Sequence, residues 1–253
     1  MPPWTARCRP SPGCNTPPEH CTKPATGPAH TPSVDAFLEM GFRPLYLAGA
    51  SWALVAVALW IFAPQLAGGT LGGLAWHAHE MLWGFVATIA VGFLMTAGGA
   101  WTGINPIEGR ALAALCLPWM VARAAFLLPG DSAFLIGALA DVAFFALAAA
   151  ALGRSVLLSR NTRNYAVPFM LLALGATDAA FLIATRAGDY ATLMQHFNAG
   201  LLVMALLTLL VARRVIPFFA MRAVPGLTVP THLRSGMAQL IASALAVFGL
   251  IAG

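Results

Sequence analysis

The sequence predicts an all-α protein, a polytopic bundle of transmembrane helices. Three observations carry that prediction. Of 253 residues, 59% are apolar and only 9% are charged, whereas a soluble domain carries about 25% charged residues. Several apolar runs are long enough to cross a hydrocarbon core about 30 Å thick. They are continuous rather than alternating, which excludes an outer-membrane barrel. The arginines fall almost wholly between these runs, so membrane topology explains the net charge of +5 without a nucleic-acid partner.

The first 33 residues differ from the rest. They hold nine of the 18 prolines and three of the four cysteines. They contain no apolar h-region and so do not read as a signal peptide. A segment of this composition cannot bury a core, and it is predicted to be a disordered Pro/Cys-rich tail. Cys8, Cys14, Cys21, His20 and His30 lie there, but their spacing matches no zinc pattern. Residues 34–253 are predicted to form the transmembrane helical domain.

Six full spans are expected, with a seventh cut by the end of the chain. The first, 44–63, follows Gly-Phe-Arg-Pro and ends at "PQLAGGTLGG". The second, 76–98, opens on "WHAHEM" and runs on as a long apolar stretch. The third, 111–128, contains Cys116, a small buried hydrophobe by its setting, and stops at "PGD". The fourth, 132–152, and the fifth, 165–185, are joined by the basic linker "RNTRN". The sixth, 193–215, precedes "RAVPGLTVPTHLR", and a seventh begins near Ser235.

Positive charge sets the orientation. Arg43 flanks the first span, Arg110 follows the second, and Arg154, Arg160 and Arg163 follow the fourth. Arg213, Arg214, Arg222 and Arg234 follow the sixth, while the alternate loops hold only Arg186. The N-terminus is therefore expected on the cytoplasmic side, with "WHAHEM" at the outer end of the second span.

Charged groups inside spans are costly and usually face a bundle interior or a cavity. Counting from the outer ends at about 1.5 Å per residue, Glu80, Arg123, Asp141, Asp178 and His196 all fall in the outer half of the membrane. Each also has a plain reading. Arg123 and Asp141, close across a short hairpin, pair as a structural ion pair. Asp178 is either a proton-handling group or a hydrogen-bonded packing residue. His196 is either a ligand or a wet interfacial anchor. Trp76 and Trp83 read as interfacial aromatics.

Residues two apart on a regular helix point about 200° apart. His77 and His79 cannot then bind one metal from the same helical face. Either one of them faces inward as a ligand, or the start of the span is extended and the pair chelates one ion. Imidazole suits copper, iron and zinc alike. There is no Cys-x-x-Cys-His, so any haem would be held without thioether links. Gly84, one turn below Glu80, leaves room where a flat ligand could approach the backbone.

"FLEMGFRPLYLAGASWAL", "WHAHEMLWGFVATIAVGFLMTAGGAWTG" and "RRVIPFF" together resemble the NnrS family over about residues 34–221. The family is one of bacterial inner-membrane proteins described as haem- and copper-containing and associated with denitrification and nitric oxide defence. The resemblance implies a multi-pass protein of the bacterial inner membrane with non-covalent haem and copper as cofactors. Its expected partners are the lipid bilayer and nitric oxide or a related small molecule. At least one of His77 and His79, together with His196 at similar depth, is expected to face a shared extracytoplasmic cavity and to supply metal and cofactor ligands, with Glu80 fixing an imidazole; the plain reading is three interfacial histidines with no common partner. The resemblance also implies about twelve spans, so that the chain corresponds to the N-terminal part of the family fold. Where members often carry Asn-x-x-x-His in the fifth span, this chain has Asp178 and Leu182.

The expected function is thus a haem/copper-binding protein of nitrosative-stress protection in denitrifying metabolism, with catalysis left open. The alternatives are a transporter or channel with Arg123, Asp141 and Asp178 along a pathway, and a non-catalytic sensor or assembly factor.

Overall fold

The helices follow from the apolar runs. The computed structural model describes residues 33–66, 69–229 and 233–252. The expected tail, Ser33 apart, lies outside the described residues, as do its cysteines and histidines. In chain order the elements are α1 (Val34–Phe37), α2 (Phe42–Phe62), α3 (Gly73–His79), a π-helical segment (Glu80–Val86) and α4 (Ala87–Thr102). They continue with α5 (Gly109–Ala125), α6 (Asp131–Leu158), a 3-10 turn (Thr162–Asn164), α7 (Ala166–Ala187), α8 (Tyr190–Ala223) and α9 (Leu233–Ala252). Among the described residues there is no strand.

Among the described residues, five helices are long and apolar enough to cross a membrane: Phe42–Phe62, the continuous Gly73–Thr102, Asp131–Leu158, Thr162–Ala187 and Tyr190–Ala223. The expected third span forms α5, which has only 17 residues, or about 26 Å at 1.5 Å per residue. The chain ahead of Pro129 and Gly130 leaves the helix early. Leu127 and Leu128 donate to Ala124 and Ala125, three residues back, and Gly130 has φ 103° before α6 begins. Pro118 inside α5 removes one further helical donor.

Sequential helices pack side by side, α5 on α6, α6 on α7, α7 on α8 and α8 on α9, while α2 lies along the π-helical segment and α4. The Gly73–Thr102 helix is the central one: 56% of its apolar window is buried, against 17% for Phe42–Phe62. It also contacts α6. Close approach to α8 depends on Gly200, where a Cβ would sit 2.6 Å from the Trp83 ring. The outward faces carry Leu54, Phe62, Leu117, Leu139, Phe169, Ile183 and Ile216, all exposed. So much apolar surface is what a bilayer covers.

Candidate functional site

The central helix changes its winding where the ionisable residues lie. Glu80–Val86 is π-helical, and Ala87 donates to Leu82, five residues back. A π-segment puts one extra residue into a turn and leaves carbonyls without their usual donors. Side chains meet that need here. Thr88 Oγ1 donates to the Gly84 carbonyl at 2.9 Å, and Trp119 Nε1 on α5 donates to the same oxygen at 3.2 Å. Trp83 Nε1 in turn donates to the Leu174 carbonyl of α7 at 3.1 Å.

This turn carries His79 and Glu80 into the middle of the bundle, where both have 0% exposure. There they meet Arg123 from α5, Asp141 from α6 and Asp178 from α7. Arg123 Nη1 donates to Glu80 Oε2 at 2.8 Å, and Nη2 donates to Asp141 Oδ2. Trp52 Nε1 on α2 donates to the same Glu80 oxygen at 2.5 Å. His79 Nδ1 lies 3.1 Å from Glu80 Oε1, while Nε2 lies 2.8 Å from Asp178 Oδ1 and 3.4 Å from Asp141 Oδ2. His79, Asp141 and Asp178 each offer a donor atom within 4.8 Å of the others.

The cluster is walled by apolar rings. Trp83, Phe126 and Phe181 stand within 6 Å of the His79 ring, centre to centre. The Arg123 guanidinium lies over Trp119 and Phe126. Toward the other end of the helices the core is hydrocarbon: Val91, Leu94, Met95, Phe144 and Phe145 are all buried. In so apolar a setting Coulomb attraction is strong, and an unmatched charge is costly.

The structure sorts the sequence-predicted residues. Glu80, Arg123, Asp141 and Asp178 come together with His79, as their depths along four spans predict, and Arg123 pairs with Asp141. His77 and His79 diverge, as the 200° separation requires. The half-buried His77 ring stacks on Trp60 of α2, 4.0 Å between centres and 12° from parallel. His196, on α8, is also half-buried. Nδ1 of each of these two histidines is buried with no hydrogen-bond partner. No direct contact joins either ring to the His79 cluster among the described contacts.

Two expectations are corrected. Trp76 and Trp83 are not interfacial: both have 0% exposure, because the central helix is enclosed by its neighbours. The space beside Gly84 is not open to a flat ligand. A Cβ there would lie 2.2 Å from Arg123 Nη1 and 2.6 Å from Glu80 Oε2, so the ion pair occupies it. Leu182, one turn beyond Asp178 on α7, is buried.

Sequence reading missed Trp52 and Trp119, the two indole donors that tie α2 and α5 to the central helix. Their mid-span positions were the available signal, since tryptophan in a span otherwise favours the interface. Two apolar grooves, of about 460 and 480 Å³, open on the bundle surface. None of the described histidines lines either one.

Residues 36–253 match the family described as NnrS protein. No curated protein and no solved structure matches the chain.

Proposed function

The chain belongs to the NnrS family, and from that premise we propose that it is a haem- and copper-binding protein of the bacterial inner membrane. Its role is in the response to nitric oxide and in nitrosative-stress protection during denitrifying metabolism. The family match over 36–253 carries this reading. In this proposal α5 is the third of six full spans, α9 begins a seventh, and the N-terminus is cytoplasmic. The arginines of alternate loops support that orientation. The tail before residue 34 lies outside the working part.

Haem does not fit at His79, whose ring is shut in by Trp83, Phe126 and Phe181 and whose nitrogens both face carboxylates. His77 and His196 suit it better. Each has a half-buried ring with an unpartnered nitrogen, near the outer end of its helix. The His79 cluster offers nitrogen and oxygen donors, a set that suits divalent copper. Bound haem and copper would supply a place for a diatomic ligand and a route for one-electron exchange.

The chain's own residues do the rest. Glu80 accepts from His79 Nδ1 and fixes the ring's tautomer, as a carboxylate does behind a metal-bound histidine. Arg123 holds Glu80 and Asp141 in place. The Trp83, Phe126 and Phe181 rings keep water from the cluster. The apolar layer of Val91, Leu94, Met95, Phe144 and Phe145 beneath it favours binding over transport, because among the described residues the buried ionisable groups are all in the cluster.

An optical spectrum of the detergent-solubilised chain tests the proposal. A Soret band is expected, weakened in His77→Ala or His196→Ala. Absence of the band from the wild type would remove the haem assignment, and a full band in both variants would remove these ligands.

A further inference from the structure

We propose that His79, Asp141 and Asp178 form a site for one divalent first-row transition-metal ion. Glu80 orients the imidazole, and Arg123 sets the charge that the site accepts. This deepens the reading of the buried cluster as the working part of the molecule and rests on it. It is independent of where haem is held.

The tautomer of His79 supplies the first argument. A neutral imidazole has one N–H and one lone pair. With Nδ1 donating to Glu80 at 3.1 Å, a neutral ring would turn its Nε2 lone pair toward Asp178 Oδ1 at 2.8 Å and Asp141 Oδ2 at 3.4 Å. Acceptors this close need a positive centre between them, either a second proton on Nε2, which then donates to Asp178, or a metal ion in that proton's place. A spacing of 3.4 Å is the edge of a tetrahedron with bonds of roughly 2.1 Å. Asp178 needs only a small outward shift to match it.

The second argument is the unmet demand of the carboxylates. Asp141 Oδ1 and Asp178 Oδ2 are buried without a hydrogen-bond partner, in residues with 0% exposure. A buried acceptor left unpaired is costly, and more so when it is charged. The other oxygen of each carboxylate faces His79 Nε2, so a single ion in the convergent His-Asp-Asp set meets these two atoms by taking each carboxylate through both oxygens.

Charge selects its valence. Glu80, Asp141 and Asp178 bring three negative charges and Arg123 one positive, so with His79 neutral the cluster carries minus two. A divalent ion makes it neutral; a monovalent ion leaves a net charge in hydrocarbon, where desolvation is expensive. Donor type narrows the choice further. One imidazole and two carboxylates suit manganese, ferrous iron, zinc or cupric copper, whereas cuprous copper prefers sulfur, and this cluster has no sulfur donor.

Cupric ion is the probe, because its paramagnetic spectrum counts bound nitrogens. The full chain in detergent is stripped with chelator, loaded with Cu²⁺ and freed of loosely held metal. The expected spectrum shows coupling to a single imidazole nitrogen. It persists in His77→Ala and His196→Ala and is lost in His79→Ala. Asp141→Asn and Asp178→Asn, which keep side-chain size, lose the ion as well. Glu80→Gln keeps the single-nitrogen spectrum but weakens affinity about 10–100-fold, the usual effect of altering a residue behind a ligand.

Coupling to two or more nitrogens would overturn the proposal, as would undiminished Cu²⁺ in both aspartate variants. If those variants fail to fold, the wild-type nitrogen count and its indifference to His77→Ala decide the matter alone. A Soret band without Cu²⁺ at His79 would sink this inference and leave the haem assignment standing. The reverse result would do the opposite.

Discussion

Arg123 is the residue on which the buried cluster balances. Its guanidinium touches Glu80 and Asp141 and lies over two aromatic rings. Breaking a buried pair from one side strands a charge and costs about 3–5 kcal/mol. Arg123→Met and Asp141→Asn should therefore each lower unfolding stability by an amount in that range. The double variant should lose less than the two combined, with a coupling of roughly 1–3 kcal/mol. Thermal or denaturant unfolding in detergent measures this, and additive losses would mean that the two groups act independently. The pair itself was legible in the sequence, because a short hairpin brings the ends of its two helices to similar depth. The roles of Trp52 and Trp119 were not. An indole N–H has no local partner to announce it, and its acceptor is fixed only when helices from distant parts of the chain pack.

The helices were legible because long apolar runs have no other structure open to them in a membrane. The length of α5 was not. Local turn chemistry at Leu127–Gly130 shortens a run whose composition reads as continuous. The π-helical turn at Glu80–Val86 was hidden as well, since its stray carbonyls are satisfied by Thr88, which is local, and by Trp119, which is not. Gly84 sits within that turn and gives a direct test. Alanine in place of glycine ordinarily favours a helix by about 0.8–1.0 kcal/mol. Here the new methyl would lie 2.2 Å from Arg123 Nη1, and that nitrogen cannot retreat without breaking its bond to Glu80. Overpacking of this kind costs about 1–3 kcal/mol. Gly84→Ala should therefore destabilise the protein. Gly153→Ala on α6, where the nearest atom to a new Cβ is 3.7 Å away, should be neutral or stabilising. Equal thermal midpoints for Gly84→Ala and wild type would show that the guanidinium is not held there.

At the scale of the whole molecule, the helix ends separate into two groups. At one end the Arg214 guanidinium lies over Trp101 and donates to Asn164 Oδ1 and the Arg163 carbonyl. The end of α4, the α6–α7 turn and the C-terminal part of α8 thus gather with the basic residues. At the other end Arg186 pairs with Asp131 at 3.5 Å, and Thr70 Oγ1 donates to the Gly130 carbonyl at 3.4 Å. Exposed pairs of this sort contribute about 0–1 kcal/mol, but they mark which ends lie together. Asp178 is nearer the Arg186 end of α7 than the Arg163 end, so the charged cluster lies toward the arginine-poor side. In the proposed orientation the bundle holds its buried cluster of His79, Glu80, Arg123, Asp141 and Asp178 in the outer half of the bilayer. The most direct measurement is a topology reporter fused after Arg163, read in intact cells. A cytoplasmic signal is the predicted result. An extracytoplasmic signal would invert the bundle, place the cluster in the inner half and contradict the account.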